Sequence, residues 1–151
     1  MRLADRVERD LVAALKERDT TTLDTLRLLK TAAKNAEVEK RAPLDEDEYV
    51  DVLTRQAKLR REAAAEYERA GRLDRAEQER AELSVLLRYM PEQMDDEAIV
   101  AELQRIIDET GARGPGDVGK VMSQAMRAMK GKAEGGQVNR LARDLLAQRS
   151  A

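Results

Sequence analysis

The sequence predicts an all-α protein, a four-helix N-terminal subdomain followed by a small three-helix C-terminal tail subdomain. Apolar residues before Gly111 recur at spacings of three and four, the period of a helix face rather than of a strand. Helix-interrupting residues are scarce over the same stretch: only Gly71 of the 8 glycines precedes Gly111, and the 3 prolines are Pro43, Pro91 and Pro115. The apolar runs are bracketed by capping chemistry, with Asp or Thr ahead and Gly or Pro behind.

The first helix is expected over Arg2 to Arg18, burying Leu3, Val7, Leu11, Ala14 and Leu15. It ends at Asp19-Thr20-Thr21-Thr22, whose side chains suit the N-cap of the next helix. That second helix, Leu23 to Lys40, presents Leu23, Leu26, Leu29, Ala33 and Ala36 on one face, carries Arg27, Lys30 and Lys34, and stops before Pro43. Asp45 with Glu48 has the spacing of a capping box, opening a third helix that runs to Ala70 with Gly71 behind it. Its core face is expected through Tyr49, Val52, Leu53, Gln56, Leu59, Ala63 and Tyr67, while Arg55, Lys58, Arg60 and Arg61 form a solvated face pairing with Glu62 and Glu66. A fourth helix from Leu73 carries Leu83, Leu86 and Leu87 and ends at Tyr89-Met90-Pro91, where proline removes an N–H and restricts Met90. The subdomain boundary falls there, giving residues 1–91 and 95–151.

Asp95-Asp96 caps a fifth helix through Ile99, Val100, Leu103, Ile106 and Ile107, closed by Gly111. Glycine then becomes frequent, and shorter helices follow over Asp117 to Met129 and Gln137 to Gln148. These rest on Val121, Met122, Ala125, Met126 and Met129, then on Val138, Leu141, Leu145 and Leu146. The three methionines at helical spacing read as core rather than as an adaptable partner groove.

Composition narrows the function classes. With 42% hydrophobic and 38% charged residues and a net charge of -2, the chain is globular rather than a disordered polyelectrolyte. The absence of cysteine excludes a disulfide scaffold, thiolate metal ligation and a cysteine nucleophile, and fits a reducing, cytoplasmic setting. No apolar stretch approaches the roughly 18 residues of a membrane span, so the chain is expected to be neither exported nor inserted. Without histidine, the Ser-His-Asp triad and imidazole ligation are closed. Rows such as Glu46-Asp47-Glu48 or Asp95-Asp96-Glu97 are better read as acids favouring helix N-termini than as metal or acid/base pairs. Lys120 and Ser123 could be drawn as a dyad, but no oxyanion frame accompanies them. Gly114-Pro115-Gly116-Asp117-Val118-Gly119-Lys120-Val121 comes within one residue of a phosphate-binding loop, yet it follows a helix and ends in Val121 where Ser or Thr should hold magnesium. The reading is therefore of no catalytic centre, no metal and no cofactor.

Charge points to binding. From Gly111 onward eight bases face three acids, a local +5 inside a near-neutral protein. Lys130-Gly131-Lys132-Ala133-Glu134-Gly135-Gly136-Gln137-Val138-Asn139-Arg140 sets lysines beside a glycine-rich turn that opens a helix, an arrangement suited to phosphate. A plain αα-hairpin with glycine caps is the competing reading. The chain has 3 tyrosines and no Phe or Trp, which disfavours base stacking on single strands and leaves shape recognition of folded RNA open. Duplex DNA is disfavoured by the lack of a base-reading helix row.

Several motifs in order and spacing give a family resemblance: Leu26-Arg27-Leu28-Leu29-Lys30, Ala70-Gly71-Arg72, Glu82-Leu83 with Tyr89-Met90-Pro91-Glu92-Gln93, Gly119-Lys120-Val121-Met122, and Gly131-Lys132-Ala133-Glu134-Gly135 with Val138-Asn139. Over nearly its whole length the chain resembles the GatB/YqeY family, in particular its free-standing YqeY-like members. The resemblance implies a helical domain plus tail like those at the C-terminus of the GatB component of the glutamine-dependent aspartyl/glutamyl-tRNA amidotransferase, where the tail contacts tRNA. It makes tRNA the leading ligand and Lys120, Lys132, Asn139 and Arg140, with Lys130 beside them, the nucleic-acid-binding candidates. It transfers no catalytic residue, so a carbon–nitrogen ligase label with glutamine as amide donor would be inherited from domain homology alone. Two positions depart from the family pattern. Lys58-Leu59-Arg60-Arg61-Glu62-Ala63 has no serine at its end, and the tail's usual Asp-Gly is Glu134-Gly135. A tRNA- or structured-RNA-binding accessory module is thus the leading expectation. Its rivals are a protein-interaction adaptor working through the N-terminal helices and an enzyme of unassigned type.

Overall fold

In the computed structural model residues 1–149 are described; Ser150 and Ala151, the last residues of the expected tail, lie outside the described residues. Among the described residues the chain is all-helical, with seven α-helices, one 3-10 turn and no strand. The helices are α1 (Leu3–Glu17), α2 (Thr20–Lys40), α3 (Glu46–Arg69), α4 (Leu73–Leu87), α5 (Asp96–Thr110), α6 (Val118–Ala128, entered through the 3-10 turn Pro115–Asp117) and α7 (Gly135–Arg149). They gather into two compact units divided between Met90 and Pro91. No helix among the described residues is long and apolar enough to cross a membrane.

Helix boundaries follow local chemistry. Asp19 caps α2, accepting from Thr22 N at 3.2 Å and from Thr22 Oγ1 at 2.7 Å. Three residues of α2 thereby precede Leu23, where the expected helix began. Asp45 and Glu48 close a reciprocal capping box on α3: Glu48 N donates to Asp45 Oδ1 at 2.8 Å, and Asp45 N to Glu48 Oε1 at 3.1 Å. Asp95 caps α5 by accepting from Ala98 N at 2.8 Å, and Gly111 ends that helix at φ +68°.

In the N-terminal unit, Leu3, Val7, Leu26, Leu29, Leu53, Val85, Leu86 and Tyr89 form the core. Tyr89 also closes a polar contact there, its hydroxyl donating to Asp10 at 2.7 Å with the Arg6 guanidinium 5.3 Å above its ring. Two expected core residues are outside: Leu15 is 53% exposed and Leu59 46% exposed.

The face of α3 is rotated from the expected one. Its buried line runs Tyr49, Leu53, Ala57, Ala64, with Arg60 in register between the alanines. Ala57, Ala64 and Ala76 let α3 and α4 lie close along the hairpin. Arg60 is only 15% exposed and is not part of a solvated face: its Nε lies 3.0 Å from Glu82 and 3.7 Å from Glu79, both on α4. Lys58 does meet Glu62, at 4.0 Å, but Glu66 pairs with Arg69. A charged residue within the seam is invisible to an apolar periodicity, so the periodicity selected Leu59 in its place.

This buried cluster makes stability respond to pH. Burial of Glu79, followed by repulsion from Glu82, outweighs the attraction of Arg60 and raises its carboxyl pKa above the ordinary value of 4.5. The folded state therefore binds that proton more tightly than the unfolded state does. The contribution favours folding at low pH and is lost as pH rises through the folded pKa. Glu79→Gln is expected to raise the urea midpoint at pH 7 and to lose that advantage as pH falls to ~4, below the ordinary carboxyl value. A lower midpoint than wild type at pH 7 would show that the Arg60 attraction outweighs burial.

Candidate nucleic-acid interface

The second unit is built on Ile99, Leu103, Ile106 and Ile107 of α5, Val121 and Ala125 of α6, Met129, and Val138, Ala142 and Leu146 of α7. Met129 is fully buried and anchors the turn after α6: Lys132 N and Ala133 N both donate to its carbonyl, at 2.9 and 3.3 Å. Gly131 turns the chain at φ +73°, a region that glycine enters without a Cβ penalty. Burial alternates through the turn. Gly131 and Ala133 face inward while Lys130 and Lys132 are exposed, so the two lysines project from the end of the helical pair.

The segment before α5 closes over this turn. Gln93 Nε2 donates to the Gly131 carbonyl at 2.8 Å, and Met94 N donates to the Lys132 carbonyl at 2.8 Å. Met94 also packs on the core of this unit. Residues 91–94 are thus part of the second unit's fold.

α5 and α7 run parallel. At their starts Asp96 accepts from Gln137 Nε2 and lies 3.9 Å from Arg140 Nη2; at their ends Arg149 Nη2 meets Asp108 at 2.5 Å. Both N-termini therefore share the end of the unit that carries Lys130 and Lys132. The helix macrodipoles add positive potential there, but acids stand close by: Glu134 Oε1 lies 3.5 Å from where a Cβ on Gly136 would be. The charge asymmetry is internal to this unit, since residues 91–110 hold seven acids and one base against the eight bases and three acids that follow.

Of the expected binding residues, Lys130, Lys132, Asn139 and Arg140 occupy the glycine turn and the first turns of α7. Asn139 Oδ1 accepts from Arg143 Nε at 2.8 Å, which leaves the amide NH2 as its donor and adds Arg143, a residue sequence reasoning passed over, to the same face. Its spacing of four from Asn139 was the available signal. Lys120 is apart from them. It lies near the start of α6, eight residues and about 12 Å of helical rise before the helix ends at Ala128, and its Nζ is 3.9 Å from Asp117. Ser123 Oγ, the other half of the conceivable dyad, accepts from Arg127 at 3.1 Å. In the loop-like glycine segment Asp117 Oδ2 accepts from Arg113 N at 2.9 Å, and the segment comes directly from α5. Among the described residues, no group of three or more acidic side chains converges as a metal cage.

A family model described as Yqey-like protein matches residues 4–146, and the chain belongs to that family. No curated protein matches it.

The turn geometry predicts a coupled effect. Gly131→Ala is expected to cost about 1–2 kcal/mol by forcing an L side chain into the left-handed region. It should also speed hydrogen exchange at the Met94 amide, whose acceptor is the Lys132 carbonyl. Unchanged exchange at Met94 would mean that apolar packing alone holds residues 91–94.

Proposed function

We propose that this YqeY-like chain is a tRNA- or structured-RNA-binding accessory module of the cytoplasm, related to the tRNA-binding part of the glutamine-dependent tRNA amidotransferase and without a catalytic centre of its own. The observation that carries the reading is the gathering of Lys130, Lys132, Asn139 and Arg140 at the end of the second unit where α5 and α7 begin. Exposed ammonium and guanidinium groups supply charge, and the Asn139 amide adds a neutral donor, the mixture that phosphate and ribose contacts use. In this reading α1–α4 form the N-terminal helical subdomain, and α5–α7, with the docked residues 91–94 ahead of them, the tail subdomain. Carbon–nitrogen ligase chemistry would come from domain kinship rather than from a nucleophile and base in this chain.

A helical protein-interaction adaptor is the second reading. It is favoured by Leu59, about half exposed in a groove that Ala32, Ala36 and Val52 also line, and by Leu28, half exposed one helical turn before Ala32 on α2.

Salt separates the two, because phosphate contacts release counterions and an apolar groove does not. Labelled bulk tRNA is expected to bind the wild type with a steep salt dependence between ~50 and ~200 mM. Lys132→Glu/Arg140→Glu is expected to flatten the slope by roughly one unit for each phosphate that the variant no longer neutralises. Equal binding by the double variant, or none by the wild type, would leave the basic end a solvated face and turn attention to protein partners.

A further inference from the structure

Away from the apolar core the α3–α4 hairpin is held by little carbon. Leu53 of α3 and Val85 and Leu86 of α4 belong to that core, where α2, which also packs on α4, contributes Leu26 and Leu29. Farther out toward the Gly71 turn, the buried residues of the two helices are Ala57, Ala64 and Ala76. Each places only a methyl group in the seam, and a segment with few buried apolar contacts opens at lower free energy than a core helix. The larger side chains in this outer seam are charged. Arg60, Glu79 and Glu82 are 15%, 19% and 18% exposed.

One guanidinium faces two carboxylates there, so with both ionised the cluster carries a net negative charge largely out of water, which is costly. It is also short of donors. Arg60 Nε and Glu79 Oε2 are buried without a hydrogen bond, since the 3.0 Å approach of Nε to Glu82 does not run along its N–H. A single proton answers both deficits: it neutralises the cluster and turns one carboxyl into a donor for the other. The charges acting on Glu79 are those of Glu82 and Arg75 on α4 and Arg60 on α3. Burial first, then Glu82 by its charge and by a hydrogen bond between the two carboxyls, favours the protonated form of Glu79 against the pull of Arg60 and Arg75. We propose that Glu79 and Glu82 share one proton in the closed hairpin, and that this proton is a latch whose release opens the outer seam while the core of α1–α4 stays folded. On opening the O–H bond breaks, the proton passes to water, and both carboxylates and the guanidinium are hydrated. The closed form keeps its proton to higher pH than the open form. The latch is therefore fully engaged below the ordinary carboxyl value of 4.5 and is lost as pH rises through the value of the closed pair.

The test is native-state hydrogen exchange of the full chain between pH ~5 and ~8, corrected for the intrinsic exchange rates. Amides within residues 61–81 are expected to open more readily than those of Leu26, Leu29 and Leu53, with an opening constant that rises about three- to tenfold across this range. Glu79→Gln is neutral at every pH and should remove the rise, and Glu82→Gln should remove it as well because the proton then has no second carboxylate to share it. Glu77→Gln, at an exposed position of the same helix, should keep it. The proposal is overturned if residues 61–81 exchange only together with the core, if their opening does not change with pH, or if the rise persists in Glu79→Gln. A rise that survives in Glu82→Gln would overturn the sharing and leave Glu79 titrating alone.

Discussion

The carbonyls of Gly131 and Lys132 hold the second unit in its arrangement. By accepting from Gln93 and Met94 they fasten the chain ahead of α5 to the turn between α6 and α7. That attachment starts α5 beside the start of α7, makes the two helices parallel and directs Lys130 and Lys132 outward. It depends on one left-handed residue, since a side chain at Gly131 would oppose the turn that presents both carbonyls.

The same arrangement restrains the site it creates. Two helix N-termini and two exposed lysines attract anions, but Asp96 engages Gln137 and Arg140, and Glu134 stands beside Gly136. A helix terminus contributes only about 0.3–1 kcal/mol at an exposed site, so nearby carboxylates are comparable competitors. Affinity for a polyanion would then come from several simultaneous phosphate contacts with counterion release, which suits an extended folded RNA better than an isolated phosphate. Because the whole second unit carries nearly balanced charge, its basic end is a local feature and steers only ligands that approach that end.

Much of the helix map was legible because caps are local. Asp19, Asp45 with Glu48, Asp95 and Gly111 each act within a few residues of their own position, and the structure uses each as an end signal. The face of α3 was not legible, because Arg60 takes a seam position through carboxylates contributed by α4, a partnership that no single-helix pattern contains. The candidate site divides the same way. The lysine-flanked glycine turn could be read directly. The separation of Lys120 from Lys132 follows from the length of α6 and was equally local, whereas the docking of Gln93 and the restraint by Asp96 arise from tertiary placement, across sequence separations of 38 and 41 positions.

The central claim is that folded RNA meets the end of the second unit formed by the glycine turn and the start of α7. Mapping amide shifts of the full chain on addition of bulk tRNA tests it most directly. The largest changes are expected within residues 130–143, with helices α1–α4 little affected. Changes concentrated on α2 and α3 around Leu28 and Leu59, with residues 130–143 unmoved, would contradict it.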